Sequence, residues 1–213
     1  ENLSARADEF ARRIAAQTGA SGDAAAAEVT TSISRLFTYA AWADKYDGAV
    51  HHVPIRGVTL AMPEPIGVIG LAAPEEHPLL GFVSLVAPAI ATGNTVIAIP
   101  SPAHPLSATD FYGVLETSDV PDGVINIVTG DREALIKVLA EHLDVDAVWY
   151  WGTAAGVEAV EAASAGNMKR TWAMDQTAQT AHPRDWLDAS WGEGQEFLRH
   201  ATQVKNIWIP YGE

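Results

Sequence analysis

The sequence has no cysteine, which excludes a disulfide, a thiolate metal site and a cysteine nucleophile within these 213 residues. Basic residues are also few, because 13 Lys and Arg stand against 27 Asp and Glu, for a formal net charge of −14. This balance argues against nucleic acid or an anionic membrane as a partner, since both carry negative charge themselves. No apolar run reaches membrane-spanning length and no signal peptide opens the chain, so a cytoplasmic location is the default expectation. The chain begins without methionine inside a helical pattern, and we expect it to be a piece of a longer protein.

Apolar stretches are frequent, and residues 65–105 show the clearest pattern. Ile66 to Leu71 is a short β-rich run, Pro78 to Ala91 is apolar on nearly every side, and Thr95 to Ile99 is β-branched and apolar. These are the patterns of a strand, a buried helix and a strand covered on both faces. Gly93-Asn94 marks a turn before the second strand, since both residues tolerate left-handed backbone angles. A right-handed βαβ unit is therefore predicted, the nucleus of a doubly wound nucleotide-binding sheet.

The alternation of helices and strands continues to Met174. It predicts helices over 105–116, after Gly130-Asp131 and over 154–165, and strands over 124–128, 145–151 and 169–174. The predicted fold class is α/β, a doubly wound, Rossmann-like parallel sheet with N-terminal helices and a small β appendage.

Two helices precede the sheet. The first is expected from Ser4, as its cap, to Thr18, with Gly19 as its stop. The second is expected from Asp23 to about Asp44, with a buried stripe of Val29, Ile33, Leu36, Phe37 and Ala40.

The flanking segments predict the β appendage. Residues 50–63 predict a hairpin, because Pro54 and Gly57 are unfavourable in a central strand. Gln203 to Pro210 alternates as a strand, and the hairpin is its natural partner. The predicted division is into N-terminal helices (1–49), a hairpin (50–63), a Rossmann-like domain (64–175), an excursion (176–202) and a returning strand (203–213).

Several motifs follow one another in a fixed order. They are Ala41-Trp-Ala-Asp-Lys, Glu64-Pro-Ile-Gly-Val-Ile-Gly, residues 74–80, Ala87-Pro-Ala-Ile-Ala-Thr-Gly-Asn-Thr-Val, Val120-Pro-Asp-Gly-Val-Ile-Asn-Ile-Val-Thr-Gly, Trp151-Gly-Thr and Lys169-Arg-Thr. Together they resemble the aldehyde dehydrogenase superfamily, from about Ala5 to Met174 and again in the last strand. An ordered series of motifs is far more specific than a lone glycine motif. The resemblance implies a chemistry that needs an oxyanion donor, an NAD clamp, a thiolate nucleophile and a base.

Four positions of the family pattern are altered here. Glu76 stands where the family has the asparagine that stabilises the oxyanion, and a carboxylate there would repel a developing negative charge. Ile99 and Pro102 stand where a lysine and a glutamate bind the adenosine ribose, and neither side chain can make those hydrogen bonds. Met174 stands at the position of the general base and cannot take a proton.

The family's cysteine-bearing domain also has no counterpart in this sequence. Gln176 and Thr177 replace the two glycines beneath the nicotinamide, and the excursion at 176–202 stands in place of that whole domain. Residues 203–210 resemble the strand that returns to the family's oligomerisation flap. The combination resembles the second, non-catalytic domain of family 16 aldehyde dehydrogenases.

The resemblance implies a structural, interdomain or oligomerisation role within a longer aldehyde dehydrogenase that oxidises aldehydes with NAD in another domain. The chain itself is then not an enzyme, and it binds NAD weakly if at all. The implied partner is a catalytic domain of the same polypeptide, or a second copy, reached through the β-flap. Two alternatives stay open: an NAD-binding fragment of an aldehyde oxidoreductase whose cysteine lies outside this chain, and a ligand sensor that uses the old cofactor cleft.

Three local features have competing interpretations. Gly152-Thr153 could seat a pyrophosphate at a helix N-terminus, or its small residues could simply allow a tight turn, which we expect. Trp151 and Ile99 are expected to fill part of the old cleft. Glu75-Glu76-His77, with His104 or His51-His52, could form a metal site. Adjacent residues of an extended loop point to different sides, so we expect a solvated loop and no metal.

The β appendage offers a candidate interface. Its residues are Val58, Leu60, Ile207, Trp208 and Ile209. A sheet of two or three strands is barely stable alone and usually needs a partner, which favours an interface. The alternative is that these side chains cover the Rossmann-like core.

Overall fold

The structure is a computed structural model that describes residues 1–54, 56–176 and 184–210. It opens with the helices α1 (Asn2–Ala5), α2 (Ala7–Thr18) and α3 (Gly22–Trp42). Helix α2 stops at Gly19, whose φ of 73° is available to glycine without strain. The cap of α3 is Ser21 rather than Asp23, because the Ser21 hydroxyl accepts a hydrogen bond from the amide of Ala24. Ser4 lies inside α1 and does not cap a helix.

The buried face of α3 differs from the predicted stripe. Val29 is buried, and Ile33 and Leu36 are half-buried, but Phe37 and Ala40 are exposed. Polar and charged side chains occupy much of the buried face instead: Glu28, Ser32, Arg35 and Tyr39. A pattern of apolar residues cannot reveal such a face, because Glu28, Arg35 and Tyr39 have their partners elsewhere in the chain.

The predicted hairpin is present as β1 (Ala49–His51) and β2 (Val58–Pro65), which pair antiparallel. The alternating region that follows contains β3 (Val68–Ala72), α4 (Leu80–Ala91), β4 (Thr95–Ile99), α5 (Leu106–Asp110), α6 (Tyr112–Glu116), β5 (Ile125–Ile127), α7 (Arg132–Glu141), β6 (Ala147–Gly152), α8 (Ala154–Ser164), a 3₁₀ turn (Ala165–Asn167) and β7 (Arg170–Asp175). The single helix predicted over 105–116 is divided at Phe111 into α5 and α6. Leu106 is exposed, whereas Phe111 is buried.

The parallel sheet has the strand order β5-β4-β3-β6-β7. The chain moves outward from β3 to β5 and then returns to the opposite side of β3, which is the doubly wound arrangement. Helix α4 packs on one face of the sheet within the larger core cluster, and α7 and α8 pack on the other face. The predicted fold class is therefore confirmed, and the switch in winding direction lies between β3 and β6.

The last described segment contains α9 (Ala189–Gly192), α10 (Gln195–Ala201) and β8 (Thr202–Ile209). Strand β8 pairs antiparallel along β2, with Val58 opposite Ile209 and Pro65 opposite Thr202. The small sheet has the order β1-β2-β8, so the last strand joins the hairpin as the sequence indicated. Within the described residues, no helix is both long enough and apolar enough to cross a membrane.

Candidate functional site at the carboxyl edge of the sheet

The crevice at the carboxyl ends of β3 and β6 is where a doubly wound sheet places its ligand. Here the side chain of Arg132, only 10% exposed, lies in that region. Its Nη1 is 3.0 Å from Glu75 Oε1 and donates to the carbonyl of Trp151 at 3.3 Å. The other carboxylate oxygen of Glu75 accepts from the hydroxyl of Ser101 at 2.6 Å. One network thus joins the loop after β3, the loop after β4, the end of β6 and the first residue of α7.

Sequence reasoning did not identify Arg132. One signal was available, because an arginine in the first turn of a helix opposes the helix dipole and therefore needs a carboxylate partner. Glu75 was expected to lie in a solvated loop. The structure instead gives Glu75 two partners, Arg132 and Ser101, so this glutamate is part of the crevice network.

The N-terminus of α8 is occupied by the chain's own polar groups. The Thr153 hydroxyl accepts from the amide of Gly156 at 3.1 Å, and the Thr153 amide donates to the Tyr150 hydroxyl at 2.9 Å. The Tyr150 hydroxyl in turn donates to Glu133 Oε1 at 2.8 Å, and burial raises the pKa of Tyr150. A Cβ at Gly152 or Gly156 would overlap the Tyr150 side chain. These glycines therefore make room for a tyrosine.

A groove of about 310 Å³ runs between α7 and α8. Its lining is mostly small or aliphatic, with Glu133 and Lys137 on α7 as its charged side chains. The carboxylate of Glu133 therefore lines the groove and also accepts the hydrogen bond from Tyr150 at the start of α8. Any ligand that entered along this groove toward Thr153 would meet that negative charge.

Trp151 and Ile99 do not fill one cleft together, contrary to the expectation. Ile99 packs on the α7 and α8 face of the sheet, in one core cluster with Tyr150. Trp151 is fully buried on the opposite face, where its ring lies 4.8 Å from that of Trp172 and 5.8 Å from that of Trp186. Successive residues of a strand point to opposite faces, so Trp151 cannot share the side of Tyr150.

The segment 184–201 covers the Trp151 face of β6 and β7. Trp186 and Phe197 are buried there, and the guanidinium of Arg184 lies 5.5 Å from the Trp172 ring, 5.9 Å from the Trp186 ring and 5.1 Å from the Phe197 ring. Arg184 also forms an ion pair with Glu196 at 3.1 Å. The predicted polar excursion is thus, from residue 184 on, a packed element. Thr177 and residues up to 183 lie outside the described residues.

The remaining candidate positions are spread along the same edge. Glu76 and Pro102 are exposed in the loops after β3 and β4, and Thr153 is exposed at the start of α8. Met174 is half-buried and packs against the larger core cluster. Of these four residues, Thr153 is linked to Arg132, because Arg132 Nε lies 3.3 Å from Glu133 Oε1 and Glu133 accepts from the Tyr150 hydroxyl that binds the Thr153 amide.

The charged residues around the start of α4 have separate partners. The buried carboxylate of Glu28 accepts from the amides of Leu79 at 2.8 Å and Leu80 at 3.2 Å, so a residue of α3 caps α4. His77 has a left-handed φ of 50°, and its Nδ1 lies 3.6 Å from Glu28 Oε2. This carboxylate raises the pKa of His77. In the described part of the chain, no three His, Asp or Glu side chains are placed to hold a metal ion.

The candidate interface residues divide between the two faces of the small sheet. Val58 lies opposite Ile209 and Leu60 opposite Ile207, and opposed residues of antiparallel strands point to the same side. These four therefore share one face. Trp208 lies opposite Thr59 and points to the other face. Trp208 is 58% exposed and Ile209 47% exposed, so neither covers the Rossmann-like core.

These features define a Rossmann-type α/β domain with an appended antiparallel sheet. The model of the aldehyde dehydrogenase family matches residues 1–175. The chain belongs to the aldehyde dehydrogenase family.

Individual relatives agree with this assignment. An aldehyde dehydrogenase of Agaricus bisporus is 36% identical over 143 residues, 67% of this chain and 29% of the relative. The NADP/NAD-dependent aldehyde dehydrogenase PuuC of Escherichia coli (strain K12) is 38% identical over 135 residues, 63% of this chain and 27% of the relative. The chain therefore spans about a third or less of the curated relatives it matches.

Solved structures show the same fold. PnpE from Pseudomonas sp. WBC-3 matches 81% of this chain and 36% of its own, with a TM-score of 0.78 and 28% identity. The apo betaine aldehyde dehydrogenase of Staphylococcus aureus, a G234S mutant, matches 80% of this chain and 34% of its own, with a TM-score of 0.77 and 26% identity.

Proposed function

We propose that this chain is a non-catalytic aldehyde dehydrogenase-like domain with a structural role in a larger protein. In this proposal another domain of that protein oxidises aldehydes with NAD. The order of motifs and the short return to the hairpin favour the C-terminal domain of a family 16 aldehyde dehydrogenase. The observation that carries the proposal is the network of Arg132, Glu75 and Ser101 across the crevice where a dinucleotide would bind.

The residues around this crevice do not fit a dinucleotide. A pyrophosphate binds best where helix amides are free and no negative charge lies nearby. Here the amides of Thr153 and Gly156 are already bonded, and Glu133 lies at the same helix end. Ile99 is buried among apolar side chains, so it offers the ribose no donor. We therefore propose that NAD binds weakly if at all.

The residues at the family's catalytic positions support the proposal that the chain is non-catalytic. An exposed carboxylate at Glu76 opposes an oxyanion, and the thioether of Met174 accepts no proton. These 213 residues contain no cysteine to act as nucleophile. The purified chain alone should therefore produce no NADH from an aldehyde and NAD. PuuC, assayed under the same conditions, is the positive control. NADH formation by the purified chain would contradict the proposal.

The structural role is proposed for the small sheet. One of its faces carries Val58, Leu60, Ile207 and Ile209, and β8 is an edge strand. An exposed edge with apolar neighbours is a template for pairing with another chain. We propose that a catalytic domain of the same polypeptide, or a second copy, covers this face. Light scattering should detect either self-association or a complex with a catalytic aldehyde dehydrogenase domain. A chain that stays monomeric both alone and in the presence of that domain would contradict the proposed role of the small sheet.

A further inference from the structure

Two adjoining cavities lie on the α3 and α4 side of the molecule, away from the carboxyl edge of the sheet. The inner one, of about 190 Å³, is lined mainly by residues of α3, α4, α6 and β5. The outer one, of about 500 Å³, opens to the surface beside the turn after α4. Their walls have four residues in common: Leu36, Ala87, Ile90 and Val120. The two cavities therefore lie against one another at this shared wall, and we call them the inner and the outer chamber.

The inner chamber is apolar. Aliphatic side chains and Phe111 form nearly all of its lining. Ser118 is the polar side chain among the lining residues that the structure describes, and its hydroxyl is already satisfied. It donates to the carbonyl of Val114 at 2.6 Å and accepts from Asn2 at 2.9 Å. A cavity of about 150 Å³ with such a lining stays dry and takes up small apolar molecules such as benzene. Water therefore finds few hydrogen-bond partners in the inner chamber, whereas a hydrocarbon group that enters it is removed from solvent.

The outer chamber has one charged side chain in its described lining, Asp119. Asp119 is exposed and holds a left-handed φ of 54°. The polar side chains beside it bind within the protein: Asn94 donates to the carbonyls of Ala89 and Ala201, and the Tyr39 hydroxyl accepts from the amide of Gly194. The charge at the entrance is thus negative, on a chain whose formal net charge is −14. A cationic head group is favoured here and an anionic one is repelled.

We propose that the two chambers bind a small amphiphilic amine, with its hydrocarbon tail in the inner chamber and its ammonium group beside Asp119. Residues of the carboxyl-edge crevice take no part in this site. The proposal is therefore independent of the proposed function above, and either one can fail without the other.

The test uses hexylamine, hexanol and hexanoate, which share a tail and differ in charge. Each is titrated into the full chain and followed by thermal shift and calorimetry, because a ligand that binds only the folded state raises its stability. Hexylamine should bind about two- to fivefold more tightly than hexanoate, as expected for one exposed charge. The variant Asp119→Asn, which tolerates the same backbone angle, should remove most of that preference.

Variants at the shared wall test the tail. Ala87→Leu should reduce the affinity for hexylamine at least about tenfold, because Ala87 lines both chambers and a larger side chain fills space in them. Since a buried substitution can impair folding, Val120→Trp at the half-buried turn offers a second way to fill that space. Ala159→Leu, in the groove between α7 and α8, is the matched control and should bind as the unaltered chain does. The proposal is overturned if no probe stabilises the chain, or if the folded wall variants bind hexylamine normally. Equal affinity for hexylamine and hexanoate would overturn the proposed placement of the ammonium group beside Asp119.

Discussion

Arg132 Nη1 lies 3.0 Å from Glu75 Oε1, across the carboxyl ends of the central strands. The two residues are 57 positions apart in sequence, and Ser101, in the loop after β4, donates to the other carboxylate oxygen of Glu75. In a dinucleotide-binding member of this fold class, that place belongs to the ligand. The ion pair therefore links the loop after β3 to the start of α7 across this edge of the sheet.

We expect Arg132→Ala to lower the free energy of unfolding by about 1 kcal/mol, because the variant removes a nearly buried guanidinium and leaves Glu75 with Ser101 alone. Glu75 is 39% exposed, and solvent there limits the loss. Urea unfolding measures the change. Lys137→Ala is the matched control, since the Lys137–Glu141 pair is exposed on both sides and its loss should cost less than about 0.5 kcal/mol. Equal effects of the two variants would show that the crevice pair has no special role.

Removal of the Arg184 side chain should open the aromatic cluster on the opposite face of the sheet. Arg184 is buried among Trp172, Trp186 and Phe197, so Arg184→Ala should destabilise the fold by about 2 kcal/mol and shift the tryptophan fluorescence toward that of solvated indole. Arg199→Ala, at an exposed position of α10, is the control. An unchanged spectrum for Arg184→Ala would mean that the segment 184–201 does not depend on this contact.

The pair of His77 and Glu28 predicts a pH dependence. The Glu28 carboxylate raises the pKa of His77 above its ordinary value of 6.5, with smaller contributions in the same direction from Asp185 and Glu76. Protonated His77 therefore stabilises the folded state fully below pH 6.5, and this contribution is lost as the pH rises through the folded-state pKa. The difference in unfolding free energy between the unaltered chain and His77→Asn should therefore decrease as the pH rises through the folded-state pKa of His77.

Asparagine is chosen because it tolerates the left-handed backbone of His77. Burial lowers the pKa of His200, so protonation of His200 below pH 6.5 destabilises the folded state. Both proteins contain His200, so this effect cancels when their stabilities are compared. Urea unfolding at a series of pH values gives the comparison. A difference that stays constant, or grows, as the pH rises would contradict the assignment to His77.

The small sheet yields a prediction about association. Ile209→Lys places a charge on the face shared with Val58, Leu60 and Ile207, and should weaken any self-association or binding to a catalytic domain at least about tenfold. Val204→Lys is the matched control, because Val204 lies opposite Pro63 and points to the other face. Light scattering over a range of concentrations measures both variants. A stronger effect of Val204→Lys would assign the interface to the Trp208 face.

The sequence was sufficient for the fold because its signals are local. The unbroken apolar run of α4 and the β-branched strand β4 are decided by residues next to one another, and so is the turn at Gly93-Asn94. The alternation of β8 likewise pointed to the hairpin as its partner. These patterns do not depend on contacts with distant residues.

The crevice could not be predicted in the same way. Arg132, Glu75 and Ser101 lie in three separate loops or helix ends, and only the folded chain brings them together. The segment 184–201 has single buried aromatic residues without a period, so its packing left no regular signal. The expectation that Trp151 and Ile99 share a cleft failed because the registers of two strands, which sequence alone does not fix, place them on opposite faces.

We propose that the crevice binds no dinucleotide, and calorimetric titration of the full chain with NAD measures this binding. PuuC, titrated under the same conditions, is the positive control. The chain should show no saturable heat up to about 1 mM NAD, which corresponds to a binding free energy weaker than about −4 kcal/mol. Saturable binding in the micromolar range would show that the crevice accepts NAD and would favour an NAD-binding fragment of an aldehyde oxidoreductase.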